Sequence, residues 1–245
     1  MASSNAFLPD TAADLVKLLH LIPHPEGGFF LETHRSRSLA MNSRGQTDTS
    51  DTHLVTWTPP STAVIGTPVS LQRNALTSIF WLPTVKSPMQ PLTQNISDHV
   101  HYYQGGLPFL YMTFDPLTGI LERYILGPDI KQGHVLQVPV PSGLWKCGSL
   151  QIETNTDNDG QDPKPHYQEK IFADYSLIAE AVGPGFDFHD FRFVDKSEVD
   201  GLTTVTDEIR QILRNHLHVA PATAQEIDEH YTSEEAQTDR AKERM

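Results

Sequence analysis

The 245-residue chain carries a single cysteine, Cys147. An intrachain disulfide and a Cys-x-x-Cys metal clip are therefore excluded, and a reducing compartment suits the sequence. Basic residues are few: 18 Lys and Arg stand against 31 Asp and Glu, for a net charge of −13. Such a field repels nucleic acid and anionic membrane surfaces, and no basic stripe offsets it, so neither is expected as a partner. No run approaches the ~18 consecutive apolar residues of a membrane span. The opening "MASSNAFLPDTAAD" lacks the basic and apolar segments of a secretory signal, which makes a cytoplasmic location the expectation. Long helical patterns are also rare. The 18 prolines and 15 glycines favour turns and short strands over a helical bundle.

What is present is a series of β-branched and aromatic segments. "GGFFLETHRS" (27–36) alternates, placing Phe30, Glu32 and His34 on one expected face. "LTSIFWL" (76–82), "HVHYY" (99–103), "FLYMTF" (109–114), "ILERYIL" (120–126), "HVLQVPV" (134–140), "LWKCGSLQI" (144–152), "YSLIAEAV" (175–182) and "FRFV" (191–194) read as strands. "DPLTG" (115–119) reads as a hairpin turn. A short helix is expected over 11–21, with Thr11 and Asp14 as a capping pair and Pro23 and Pro25 ending it. A second is expected near 204–217 on an Ile209, Ile212, Leu213 and Leu217 stripe. Residues 37–74, rich in Ser, Thr, Pro and Gly, read as a long excursion with one or two short strands. With the polar loop 154–168 they are candidates for a lid. The charged end "TSEEAQTDRAKERM" is expected to fray.

Six stretches, in order, resemble the cupin-5 subfamily. They are "LIPHPEGGFFLETHRS" (21–36), "TSIFWLP", "SDHVHYYQGGLPF" (97–109), "LGPD", "VPVPSGLWK" and "VGPGFDFHDF". The resemblance implies an all-β cupin double-stranded β-helix, a jelly-roll barrel with a pocket inside, usually a homodimer. Residues 1–200 would form the barrel, including the 37–74 insert, with the short N-terminal helix before it. Residues 201–245 would add a C-terminal helical extension and a polar tail. Activity does not follow, because the cupin superfamily spans dioxygenases, decarboxylases, isomerases, epimerases and plain binders.

The chain departs from a metal-binding cupin pattern. In "LTQNISDH", Thr93 and Gln94 stand where the subfamily has His and Arg, and His99 stands where it has Glu. His101 replaces a tryptophan, Tyr102 the next histidine, and Lys146 falls where a fourth ligand would come. On a strand, His99, His101 and Tyr103 point the same way, and the family register aims them inward. The leading expectation is a small-molecule enzyme that isomerises, epimerises, dehydrates or cyclises an oxygenated metabolite by general acid–base chemistry, without a cofactor. Its candidate catalytic groups are His99, His101, Glu32, His34, Tyr103 and Lys146, with Phe30, Phe80, Gln94 and Trp145 holding substrate. One alternative is a rewired Fe, Zn or Mn site on His99 and His101, with Glu32 or His34 as third ligand, doing oxygenase or lyase work. Another is a non-catalytic small-molecule binder. In the plainest alternative, the two histidines are inward polar residues bonded to neighbours or water. "HPEGG" (24–28) reads as a structural turn whose Glu26 accepts backbone N–H bonds. Cys147 reads as a small buried hydrophobe.

Overall fold

A computed structural model describes residues 8–9, 11–36, 54–57, 71–152 and 173–218. The candidate lid loop 154–168, most of the 37–74 insert and the charged tail lie outside the described residues. The chain begins with helix α1 (Ala12–Leu19) and strands β1 (Ile22–Pro23), β2 (Phe29–Arg35), β3 (Leu54–Trp57), β4 (Leu71–Asn74), β5 (Thr77–Leu82) and β6 (Met89–Asn95). It continues through β7 (Asp98–Gly106), β8 (Phe109–Phe114), β9 (Leu121–Leu126), β10 (Gln137–Val140), β11 (Trp145–Leu150), β12 (Ser176–Gly183) and β13 (Phe191–Phe193). Helices α2 (Lys196–Gly201) and α3 (Asp207–Asn215) follow.

Two antiparallel sheets face each other, one in the order β1-β2-β5-β12-β7-β10 and the other β13-β6-β11-β8-β9. β3 and β4, inside the 37–74 insert, form a separate two-stranded ladder. Sequence neighbours often sit on different sheets: β6 and β7 are consecutive yet belong to opposite layers. That crossing is the jelly-roll solution to closing a sandwich without long exposed edges. β8 and β9 form the expected hairpin, where Asp115 accepts from the Leu117 N–H and Gly119 turns at φ +74°.

Strand alternation divides the apolar residues into three groups. The inner faces join Trp81, Phe109, Tyr111, Leu126, Val138 and Ile178. The outer face of the first sheet packs Leu31, Phe80 and Leu82 beneath Leu15 of α1. The outer face of the second packs Leu92, Met112, Phe114, Trp145 and Cys147 beneath Val199 of α2 and Leu213 of α3. α1 is capped by Thr11, whose hydroxyl accepts from the Asp14 N–H at 3.2 Å. It stops at Leu19, where His20 turns left-handed at φ 54°, ahead of the expected proline terminators. α3 starts at Thr206, which caps the Ile209 N–H. α2 was not expected. Its capping box, Asp195 with Glu198, is the sequence signal that marks it.

Candidate active site

The inner faces can be followed in layers, because directly opposed residues of an antiparallel pair point the same way. Phe30, Trp81, Ile178 and Tyr103 make one layer, with Phe109 and Leu150 on the facing sheet. The next contains Ile79, Glu180, His101 and Val138, facing Tyr111 and Gly148. A third contains Thr77, Val182, His99 and Val140, facing Thr93, Lys146 and Thr113. The first layer is apolar. The other two enclose a buried polar centre.

At that centre Glu180 is shared. Its Oε1 contacts His99 Nδ1 and lies 3.5 Å from Lys146 Nζ, and its Oε2 lies 3.6 Å from His101 Nδ1. The Tyr111 hydroxyl is 3.0 Å from His101 Nδ1. His99, His101, Lys146 and Tyr111 are 3%, 0%, 3% and 0% exposed, so water screens these charges little. Nε2 of each histidine is buried without a hydrogen-bond partner.

The electrostatics follow from burial and one ion pair. Burial works against the Glu180 carboxylate, but the Lys146 ammonium overcomes it and holds the carboxyl well below its usual range. Burial also opposes the Lys146 charge, yet the Glu180 and Glu26 carboxylates keep its pKa above the ordinary value. Burial lowers the pKa of His99, helped by Lys146 and opposed by Glu180. Burial lowers that of His101 as well, to about 3. Burial raises that of Tyr111 well above a free phenol. The resting state is therefore two neutral imidazoles and a neutral phenol around a carboxylate–ammonium pair. An ionised carboxylate only accepts, so Nδ1 of His99 carries the proton and Nε2 presents a lone pair.

Of the expected residues, the structure brings together His99, His101 and Lys146, and it separates the rest from them. Glu32 and His34 do not share a face. A register shift after Glu32 makes Thr33 an extra residue, so Glu32 opposes Ile79 and His34 opposes Ser78. His34 is exposed, and Glu32 is held by a bidentate ion pair from Arg35. Tyr103 faces the apolar layer and donates its hydroxyl to the Gly106 carbonyl at 2.6 Å. Phe30 packs in that layer, edge-on to His24 at 4.7 Å. Phe80 lies on the outer face against the α1 cluster, and Trp145 lies on the other outer face under α2 and α3, so strand parity keeps both out of the interior. Gln94 shares the Trp145 face, donates to the Gly143 carbonyl and accepts from Arg192. Cys147 is buried on that face, which pushes its pKa up to about 12.

Residues not anticipated complete the centre. Glu180 lies in "SLIAEAV", at the alternate position between inward-facing Ile178 and Val182. A lone carboxylate there is a signal, because such a group is buried only when paired. Tyr111 stands in the same relation to Phe109 and Thr113. Glu26 accepts from the Gln90 side-chain amide at 2.5 Å rather than from backbone N–H groups. It sits in a turn where Gly27 and Gly28 have φ of 91° and 73°. A Cβ at Gly28 would lie 2.3 Å from the Leu82 carbonyl oxygen, so the turn tolerates only glycine there. Trp81 donates its indole N–H to the Gly27 carbonyl, tying the turn to the barrel.

Three comparisons accord with this architecture. The description of the Cupin_5 family, "Cupin superfamily (DUF985)", matches residues 13–194. An uncharacterized protein of Saccharomyces cerevisiae is 29% identical over 187 residues, 76% of each chain. A solved structure of a hypothetical protein from Leishmania major aligns with a TM-score of 0.60 and 26% identity, over 85% of this chain and 99% of that one. A Shewanella oneidensis structure aligns with a TM-score of 0.54 and 22% identity, over 84% and 97%. Among the described residues no helix is long and apolar enough to cross a membrane. With two inward-folded antiparallel sheets and a family match spanning most of its length, the chain belongs to the Cupin_5 family of the cupin superfamily.

Proposed function

We propose that the protein is a small-molecule enzyme that transfers protons within its barrel, acting on a carbon next to a carbonyl. The supporting observation is the arrangement at His99: Nδ1 on Glu180, and Nε2 buried with no partner. Glu180 fixes the ring's orientation and tautomer and stabilises the imidazolium formed during reaction. Nε2 takes a proton from carbon, and the electron pair moves onto the carbonyl oxygen as an enolate. The Lys146 ammonium, in a water-poor site, supplies the positive charge that stabilises this oxyanion. His101, with the Tyr111 hydroxyl against it, is the second proton-transfer group. Delivery of the His101 Nε2 proton to the opposite face, as Nδ1 takes the Tyr111 proton and His99 returns its own to the phenolate through solvent, gives epimerisation; return from His99 to a neighbouring atom gives isomerisation.

A panel of aldoses, ketoses and 2-oxo acids incubated with the protein in D2O tests the reading by NMR. At least one compound is expected to exchange its α C–H, with the rate falling on the order of 10²–10⁴-fold in His99→Asn. Exchange that is unchanged in His99→Asn would refute it.

A second reading has its own observation. Donor atoms of His99, His101 and Glu180 all lie within 4.8 Å of one another. Two imidazoles and a carboxylate suit Fe, Zn or Mn in number and type, and the unpartnered Nε2 atoms accord with this. These three residues would hold the ion, which would act as a Lewis acid toward a substrate oxygen. The Lys146 ammonium, 3.5 Å from the same carboxylate, opposes a second cation there. Elemental analysis separates the readings: stoichiometric metal that is lost in His99→Ala favours this one.

A further inference from the structure

A cavity of about 260 Å³ opens between the 24–28 turn, the start of β6 and the chain following α3, with Glu26, Gln90 and His216 in its wall. Two local features build it. A bulge puts an extra residue into β6, so that Thr93 opposes Lys146 but Gln90 opposes Gly148, turning Gln90 inward toward Glu26. The Leu92 N–H then donates to the His216 carbonyl at 2.6 Å, which anchors the segment after α3 across the opening.

All three side chains are more than nine-tenths buried: Glu26, Gln90 and His216 are 7%, 1% and 8% exposed. Their hydrogen bonds fix what each still offers. The Gln90 amide nitrogen donates to Glu26, because a carboxylate cannot donate, and this leaves Oε1 of Gln90 without a partner. His216 Nδ1 lies 2.9 Å from the Ile212 carbonyl oxygen, which only accepts, so Nδ1 carries the proton. In the neutral ring Nε2 is then an acceptor, also buried and without a partner. The residues of the wall thus carry a carboxylate and two acceptors that lack partners and are sealed from solvent. Charge points the same way. The Glu26 carboxylate acts on Lys146, which already faces Glu180, so two formal negative charges share one ammonium.

We propose that this cavity binds the primary ammonium group of a small molecule. Three N–H donors then meet three acceptors, Glu26, Oε1 of Gln90 and Nε2 of His216, and the positive charge balances the surplus carboxylate. The volume would hold roughly eight waters at ~30 Å³ each, enough for a short amino alcohol or the head of a longer amine. The inference stands apart from the proton-transfer reading, because none of the three acceptors belongs to the His99–Glu180 pair.

Calorimetric titration of the full chain at about pH 8 tests it with ethanolamine, ethylene glycol and glycolate. These probes share a size and differ in charge. Ethanolamine is expected to bind at least about tenfold more tightly than ethylene glycol, with glycolate weakest. Glu26→Gln should reduce that preference to about threefold or less, with the unfolding midpoint reported alongside. If Glu26→Gln fails to fold, His216→Phe removes one acceptor and should weaken ethanolamine about three- to tenfold. Equal binding of the diol, preferred binding of the acid, no ethanolamine binding up to about 50 mM, or a preference that survives both substitutions would overturn the proposal.

Discussion

The two ends of the barrel interior are built from the same strands and have opposite chemistry. On β12, Ile178 belongs to the apolar layer and Glu180, two residues on, to the polar centre. On β7 the same step separates Tyr103 from His101, and on β8 it separates Phe109 from Tyr111. At the apolar end, Trp81 and Phe109 meet edge-on at 5.2 Å, and burial itself supplies the stabilisation. At the polar end, Glu180 and Lys146 lose hydration and recover it only through each other and the imidazoles. The apolar end gives the barrel its stability, and the polar end expends part of it on a preorganised set of charges. Groups that a core would omit are the ones that a reaction needs.

Substitutions at the two ends should therefore differ in kind. Lys146→Met leaves the buried Glu180 carboxylate without its counter-ion and should cost about 3–5 kcal/mol in chemical denaturation. The double substitution Lys146→Met, Glu180→Leu, which removes both charges, should recover most of that loss. A double variant as unstable as the single one would show that the pair itself holds the fold. Ile178→Val, at the apolar end, should cost only about 1 kcal/mol and leave any proton-exchange activity intact.

The pH dependence of stability sharpens the contrast, since the polar end contributes to it directly. His99 and His101 have native pKa values below 6.5, so below that pH the unfolded chain takes up protons that the native state refuses, and stability falls. Glu180, depressed below 4.5, adds to the loss as pH drops further toward its native value. Lys146 is raised above 10.5, so its contribution is complete below that pH and is lost as pH rises through its native value. Stability should be nearly flat between about pH 6.5 and 9 and fall on both sides, because above 9 the Cys147 thiol ionises in the unfolded chain but not in the native one. In Glu180→Gln the loss below pH 4.5 should shrink. A smaller expectation concerns the outer cluster. Cys147, with its pKa pushed up to about 12, should react with a thiol reagent only after unfolding.

Much of this architecture is legible in the sequence. The turn motif 24–28, the alternating strands and the ordered family stretches together specify an antiparallel barrel. The i, i+2 spacing of His99 and His101 puts both rings on one face. What escapes has identifiable causes. A bulge at Thr33 reverses the face of His34, and nothing in "FFLETHRS" marks it. β6, "MQPLTQN", is polar and contains Pro91, so it carries little strand signal, although it brings Gln90 and Thr93 into the interior. Glu180 is hidden in an apolar run that reads as core, where parity would have shown it facing inward. Phe80 and Trp145 have the composition of a pocket wall, yet helices cover both outer faces, and parity assigns them to those contacts.

The central claim is that His99 is a neutral imidazole, oriented by Glu180 and presenting an unprotonated Nε2 inside the barrel. ¹⁵N NMR of histidine-labelled protein near pH 7 tests it directly, assigned with His99→Asn. A neutral His99 ring protonated on Nδ1 is expected, with that tautomer preference lost in Glu180→Leu. A charged His99 ring, or one protonated on Nε2, would contradict it.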